Sequence, residues 1–261
     1  MHFLLTNDDG IHAPGMAALI EAVAPLADLT IVAPLNERSA ISHAIAVFRP
    51  LLLEPQPHRV PGGRAWALDA NPADCVKYAL TSVLVDQPPD LVISGINRGQ
   101  NAGTNILYSG TVAGAMEGAL NGVPSIAISI SALFREEADF SGAQEFIARV
   151  APQVAEQGLP PWVMLNINVP SLPPERIQGA RWARQGEARY TDLFEILPED
   201  NPREGIDDGQ RMVSNTGADL ISSEGEDTDD RLLAHGFIAL TPLTCDRTAH
   251  AVLRDPPPLE L

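Results

Sequence analysis

Residues 2–7 open the chain as an apolar run, Phe3-Leu4-Leu5, that turns polar only at Thr6 and Asn7. That is the pattern of a strand buried on both faces. Residues 15–24 carry apolar side chains at helical spacing, and residues 29–33 return to a β-rich run that Pro34 closes. Residues 65–69 predict a short strand. Residues 73–84 predict a helix with Asn71-Pro72 as its cap and first residue. A strand over 91–94, a small-residue helix over 111–120 and a strand over 125–130 follow. Residues 143–155 read as helical apart from Pro152, and residues 163–169 as a strand in which polar Asn166 and Asn168 alternate with apolar neighbours. Apolar strands separated by helices imply a parallel sheet covered on both faces, a Rossmann-like three-layer α/β core over residues 1–170.

The character changes after Pro170. Pro173-Pro174 interrupts the chain, and the Arg-rich polar residues 181–189 predict a hairpin. Residues 199–209 are acidic with Pro and Gly and predict an exposed loop. Residues 224–230 form a second acidic stretch, residues 232–240 return to apolar character, and Asp255 begins a proline-rich tail. No internal repeat is present. Residues 171–261 therefore read as a β-rich C-terminal extension, wrapped on the core or on another subunit. Its returning apolar segment, 232–243, suits exchange between protomers.

Composition narrows the partners. Apolar residues are 45% of the 261, enough for a sizeable core, while aromatics are only 5%, so Ala, Val, Leu and Ile must fill it. The 34 acidic and 17 basic residues give a net charge of −17, which repels nucleic-acid backbone and anionic membrane. The same excess is awkward for an enzyme of anionic substrates unless a bound cation dominates the site locally. Cys75 and Cys245 form no spaced pattern, so neither a disulfide scaffold nor a zinc site is expected. The first residues show no basic region followed by an apolar stretch and cleavage site, and no apolar run approaches the roughly 20 residues that span a bilayer. Cytoplasmic residence is the expectation.

Ligands of open parallel sheets bind at the carboxyl ends of the strands. Past the predicted strands lie Asn7-Asp8-Asp9-Gly10, Asn36-Glu37-Arg38-Ser39 and the long loop that begins Gly95-Ile96-Asn97-Arg98. Adjacent carboxylates such as Asp8 and Asp9 repel unless a positive charge sits between them. Asp-Gly is also ordinary turn chemistry. Oxygen donors alone, Asp with Ser and Asn nearby, select hard cations such as Mg²⁺ or Mn²⁺ over Zn²⁺. Ser109-Gly110-Thr111 precedes a helix, where backbone N–H groups and the dipole attract an anion. Capping by Ser109 or Thr111 explains one hydroxyl and not the whole loop. Elsewhere, Cys75 reads as core, Lys77 and Tyr78 as a solvated helix face, and His235 as a helix end, while His43 lies in a Ser/His-rich loop within reach of a substrate. A Gly-x-Ser-x-Gly elbow and a GxxxxGK[ST] loop are both absent.

Taken together, Thr6-Asn7-Asp8-Asp9-Gly10-Ile11 with Ala13-Pro14-Gly15 resembles the opening of the SurE family, the stationary-phase survival 5′-nucleotidases. Residues 94–101 (Ser-Gly-Ile-Asn-Arg-Gly-Gln-Asn) and 108–118 resemble its further signatures, and Pro72-Ala73-Asp74-Cys75-Val76 and Thr241-Pro242-Leu243 also fit. The resemblance implies one divalent ion per subunit, Mg²⁺ or Mn²⁺, held by Asp8, Asp9, Ser39 and Asn97. It implies hydrolysis of nucleoside 5′- or 3′-monophosphates, with Asp8, Asp9 and Asn97 acting on the attacking water. Asn97, Ser109, Gly110 and Thr111 would hold the phosphate. It further implies a homodimer or homotetramer that exchanges C-terminal segments. The alternatives are an exopolyphosphatase and a nucleotide-binding protein without catalysis. Ala40 stands where the family usually has Gly, Ala70-Asn71 where it has Gly-Thr, and residues 41–46 lack an expected Thr. A receiver domain would need an Asp after the strand at 91–94 and a Lys after that at 125–130, and a haloacid-dehalogenase phosphatase would need Asp-x-Asp. The first two residues are missing, and adjacent Asp8-Asp9 does not supply the spaced pair.

Overall fold

The computed structural model describes residues 1–57, 59–60, 64–132, 138–197, 211–216 and 219–255. Its apolar runs form β1 (His2–Thr6), β2 (Asp28–Pro34), β3 (Leu53–Pro55), β4 (Ala65–Leu68), β5 (Leu91–Arg98), β6 (Ser125–Ile130) and β7 (Val163–Val169). The helices are α1 (Pro14–Val23), α2 (Pro72–Tyr78), α3 (Gly110–Leu120) and α4 (Ser141–Gln157). Beyond β7 come β8 (Ala180–Trp182), β9 (Arg189–Tyr190), β10 (Phe194–Ile196), β11 (Val213–Asn215), β12 (Leu220–Ile221), α5 (Asp229–Ala234), β13 (Ile238–Thr244) and α6 (His250–Arg254).

Nine strands form one sheet in the order β3-β4-β2-β1-β5-β6-β7-β13-β8. The pairs from β4 to β7 are parallel, while β3 with β4 and β13 with β7 are antiparallel. Alternation along β1 sends Phe3 and Leu5 to one face, with Met16 and Leu19 of α1 and Phe146 and Ile147 of α4. Leu4 goes to the other face, with Val32, Cys75 and Val76. Helices thus cover both faces, as the uninterrupted apolar strands require. The chain winds outward from β1 in both directions, through β2 and β4 on one side and β5, β6 and β7 on the other. The carboxyl end of β1 therefore lies at the topological switch point, where a crevice opens.

Several local expectations are corrected. The strand at 91–94 continues to Arg98 across a register shift between Ser94 and Asn97. Gly95 permits this: its φ is +143°, and a Cβ there would stand 2.3 Å from the Ile128 carbonyl oxygen. The helix at 73–84 stops being α-helical after Tyr78 and continues as a wider π turn over Ala79–Val83. Conversely, α4 runs through Pro152, because Phe146, Ile147, Ala151 and Val154 bury one stripe against the sheet.

The largest correction lies beyond Pro170. Residues 181–189 do not form a hairpin: β8 pairs in parallel with β13, and β9 pairs with β12. Residues 232–240 are the end of α5, a turn at His235-Gly236 and the start of β13, which lies in the sheet of its own chain. The division at residue 170 thus cuts through a continuous sheet. Outside that sheet lie the two-stranded ribbons β9–β12 and β10–β11, with Leu193, Phe194, Ile196 and Val213 exposed. The acidic residues 199–209 and the tail beyond Asp255 lie outside the described residues. Among the described residues, no helix is long and apolar enough to cross a membrane.

Candidate metal and phosphate site

The turn after β1 is built by Asn7, whose side-chain amide donates to the Gly10 carbonyl at 2.8 Å, with Gly10 at φ +99°. This turn fixes Asp8 and Asp9 at the mouth of the switch-point crevice. Three neighbouring segments close on them. From the loop after β2, the Arg38 backbone N–H donates to the Asp8 carbonyl at 2.7 Å. From the end of β5, the Arg98 N–H reaches Asp9 Oδ2 at 3.4 Å. From the start of α3, the Thr111 hydroxyl donates to Asp8 Oδ1 at 2.5 Å. Gly110 comes closer than any other residue type could, since a Cβ there would stand 2.8 Å from the Asp8 Cβ.

Asp8, Asp9, Gly110 and Thr111 are therefore brought together, and the end of β5 sets Asn97 beside them. The Asn97 amide nitrogen donates to the Gly99 carbonyl at 2.8 Å, which leaves its carbonyl oxygen as the donor toward a ligand. Ser39 lies on the same edge, but its hydroxyl is exposed and donates to Glu37 Oε1 at 2.6 Å. Neither helix-terminal hydroxyl faces outward. Ser109 caps α3 by accepting from the Val112 N–H at 3.0 Å, and Thr111 is committed to Asp8. An anion at this terminus would meet backbone N–H groups.

The two carboxyls stand in each other's field. Burial pushes both upward, and for Asp9 the neighbouring Asp8 charge adds to it, bringing Asp9 to about 6. A cation between them would relieve both effects. Among the described residues, no group of three or more His, Cys, Asp and Glu side chains could hold a metal. The donor set here is instead two carboxylates with an amide and a hydroxyl oxygen, which suits a hard divalent ion. Asp8, Asp9 and Asn97 fit that role as they stand, and Ser39 fits once its hydroxyl leaves Glu37.

Sequence reasoning missed the groups around this centre. Arg38 is paired with Asp69 at 2.5 Å. Lys77 is exposed as expected, and its ammonium also reaches Glu117 Oε1 at 3.2 Å, while His43 Nε2 lies 3.0 Å from Oε2. Burial works to raise the Glu117 carboxyl, and the bonds from His43 and Lys77 outweigh it and hold it below its usual value. The same loop is tied down at Ser42, whose hydroxyl donates to the Leu107 carbonyl at 2.7 Å, and at Ala46, whose N–H donates to Asp74 at 2.9 Å. Ala40, where the resemblance places Gly, adopts φ +54°, a conformation that glycine takes without strain. Beneath this loop a cavity of about 320 Å³ adjoins Ser109, lined by Ile106, Val112, Met116 and Leu243 with Ser42 and His43 at its polar side. Cys75 is fully buried and His235 ends α5, as expected from the sequence.

A family model described as "Survival protein SurE" matches residues 3–192, a span that holds every residue of this site. The chain belongs to the SurE family. A SurE relative from Heliobacterium modesticaldum, named 5′-nucleotidase SurE, is 42% identical over 255 residues, covering 98% of this chain and 90% of its own. One of the same name from Desulfatibacillum aliphaticivorans is 43% identical, covering 97% and 96%. The crystal structure of the SurE protein from Aquifex aeolicus superposes with a TM-score of 0.82 at 34% identity and covers 98% of both chains. The SurE fold thus extends over α5 and β13, beyond the residues that the family model spans.

Proposed function

We propose that the chain is a divalent-metal-dependent phosphomonoesterase that converts nucleoside 5′-monophosphates to nucleoside and phosphate. One observation carries the reading: two adjacent carboxyls at a strand end stand against a glycine-opened helix N-terminus. The names of the SurE relatives supply the substrate class. One ion per subunit, Mg²⁺ or Mn²⁺, held by Asp8, Asp9, Asn97 and Ser39, would supply Lewis-acid polarisation of a phosphoryl oxygen and a more acidic water. The backbone N–H groups of Gly110 and Thr111 offer the remaining phosphoryl oxygens hydrogen bonds that strengthen as negative charge develops. Thr111 holds Asp8 in orientation, Asp9 accepts the proton of the attacking water, and Asn97 orients that water. The cavity beside Ser109 is placed to receive the nucleoside. Arg38 and Lys77 are committed to carboxylates, so an ion and the α3 dipole would add to the positive charge of Arg98 beside Asp9.

The same proposal includes assembly and location. The exposed apolar ribbons between β9 and β12 suit exchange with another subunit, giving a homodimer or homotetramer. The thiols of Cys75 and Cys245 are unpaired, which suits a cytoplasmic, reducing environment. Phosphate release from a panel of nucleoside 5′- and 3′-monophosphates, p-nitrophenyl phosphate and polyphosphate, each with Mn²⁺ or Mg²⁺, tests the reading. The expected result is the highest kcat/KM on nucleoside 5′-monophosphates. Equal rates on p-nitrophenyl phosphate would remove the nucleoside from the proposal.

A further inference from the structure

Asp229 lies in a stretch that reads as a solvated acidic run, yet it is fully buried. Its carboxylate meets backbone amides. The Gly103 N–H donates to both oxygens at 3.1 Å, and the N–H groups of Gly186 and Asp230 donate to Oδ1 at 2.9 Å each. A carboxylate withdrawn from water is costly unless its bonds are well made, and burial raises this carboxyl above its usual value. Here the bonds join separate parts of the chain: the loop after β5, the segment after β8, and the start of α5.

We infer that Asp229 is a positioning residue for the phosphate-binding terminus of α3. The chain of contacts is short. Gly103 opens the 3₁₀ turn Gly103–Leu107, and the Ser109 cap follows two residues later. Gly103 has φ +58°, and a Cβ there would stand 2.5 Å from the Ala188 carbonyl oxygen, so this backbone is pressed directly onto residues 185–188. The Thr104 N–H and hydroxyl both donate to that same carbonyl, at 2.8 and 3.0 Å, and the Gln185 amide donates to the Gly103 carbonyl at 3.0 Å. The other end of the loop is held at Asn101, whose N–H donates to Asn168 Oδ1 at 2.8 Å and whose carbonyl accepts from Asn166 and Asn168. The loop is thus fixed from β7 on one side and from Asp229 on the other. Asp8 and Asp9 lie in the turn after β1 and bond to none of these loop groups. Displacing Asp229 therefore moves the phosphate terminus first and reaches the carboxylate pair only through the contacts of Gly110 and Thr111 with Asp8.

This inference rests on the phosphate site proposed above, and its test separates the two. In Asp229→Asn the side-chain NH₂ turns a donor toward amide donors and pushes the loop away. Calorimetry of inorganic phosphate binding in the presence of Mn²⁺, a separate Mn²⁺ titration, and KM for p-nitrophenyl phosphate are measured on the full-length protein. The expected result is a phosphate Kd and a KM raised about tenfold with Mn²⁺ affinity within about twofold of wild type, roughly 1.4 kcal/mol lost at the phosphate alone. Leu233→Ala, a truncation in the same helix, serves as the control: it lowers Tm and leaves KM unchanged. Asp229→Ser keeps one acceptor oxygen in a smaller side chain, and it is expected to shift the same constants in the same direction should Asp229→Asn not fold. Unchanged phosphate constants in a folded Asp229 variant overturn the inference, as does an equal loss of Mn²⁺ affinity. Failure of both variants to fold also overturns it, in favour of a purely structural carboxylate. Wild-type protein that neither binds phosphate with Mn²⁺ nor turns over overturns the functional reading instead.

Discussion

Asp9 shows at the scale of one residue what the site costs the fold. Its carboxyl titrates near 3.8 in an unfolded chain and at about 6 in the folded one, through burial first and the Asp8 charge second. The folded state thus binds this proton more tightly. The penalty is absent below about pH 4, grows as pH rises, and is complete above about pH 6. In metal-free protein, Asp9→Asn is expected to raise Tm at pH 7.5 and to leave it unchanged at pH 4, measured by differential scanning fluorimetry. An equal gain at both pH values would contradict a penalty set by burial and by the Asp8 charge. The acidic pair could be read from the sequence because two adjacent aspartates past a strand are chemically costly. Asp229 could not. It sits among Glu224, Glu226 and Asp227, and only the fold brings the amides of Gly103 and Gly186 to it.

At the scale of elements, the α3 terminus works because Gly110 lets helix backbone touch a carboxylate from β1. A Val there places its Cβ against Asp8, so Gly110→Val is expected to lower kcat/KM by at least about 100-fold, roughly 2.7 kcal/mol. Steady-state kinetics check this, and wild-type kcat/KM in that variant would remove the cradle. The helix itself was legible from its Ser-Gly-Thr start and small residues. The Ser109 cap was legible too, and the destination of the Thr111 hydroxyl was not. Periodicity shows that Ser109 and Thr111 open a helix, while the bond from Thr111 to Asp8 depends on how α3 sits against β1. The extension of β5 to Arg98 was hidden for a similar reason, because Gly95-Ile96-Asn97 reads as loop composition until β6 pairs with it. Lys77 is solvated as its sequence suggests, but its pairing with Glu117 was hidden because that partner comes from another helix.

At the scale of the whole molecule, the apparent extension splits in two. β8 and β13 complete the sheet with α5 packed on β13, while the ribbons from β9 to β12 lie outside it with apolar side chains exposed. The sequence shows the change of character at Pro170, but a strand that returns after seventy residues leaves no local mark of which sheet it joins. Truncation after Pro170 is accordingly expected to give insoluble or inactive chain. An exchanged ribbon interface would bury more than ~2,000 Å², so sedimentation at nanomolar concentration should still find a dimer or larger species. A fully active monomer would contradict that arrangement.

The central claim is that the Asp8–Asp9 pair holds the ion on which phosphate hydrolysis depends. Phosphate release from a nucleoside 5′-monophosphate, followed through chelator stripping and re-addition of Mn²⁺, tests it most directly when wild type and Asp9→Ala are compared. The account predicts that stripped wild type is inactive and recovers with Mn²⁺, and that Asp9→Ala stays at least about 100-fold below it at every Mn²⁺ concentration, roughly 2.7 kcal/mol. Undiminished turnover by the stripped enzyme, or by Asp9→Ala, would contradict it.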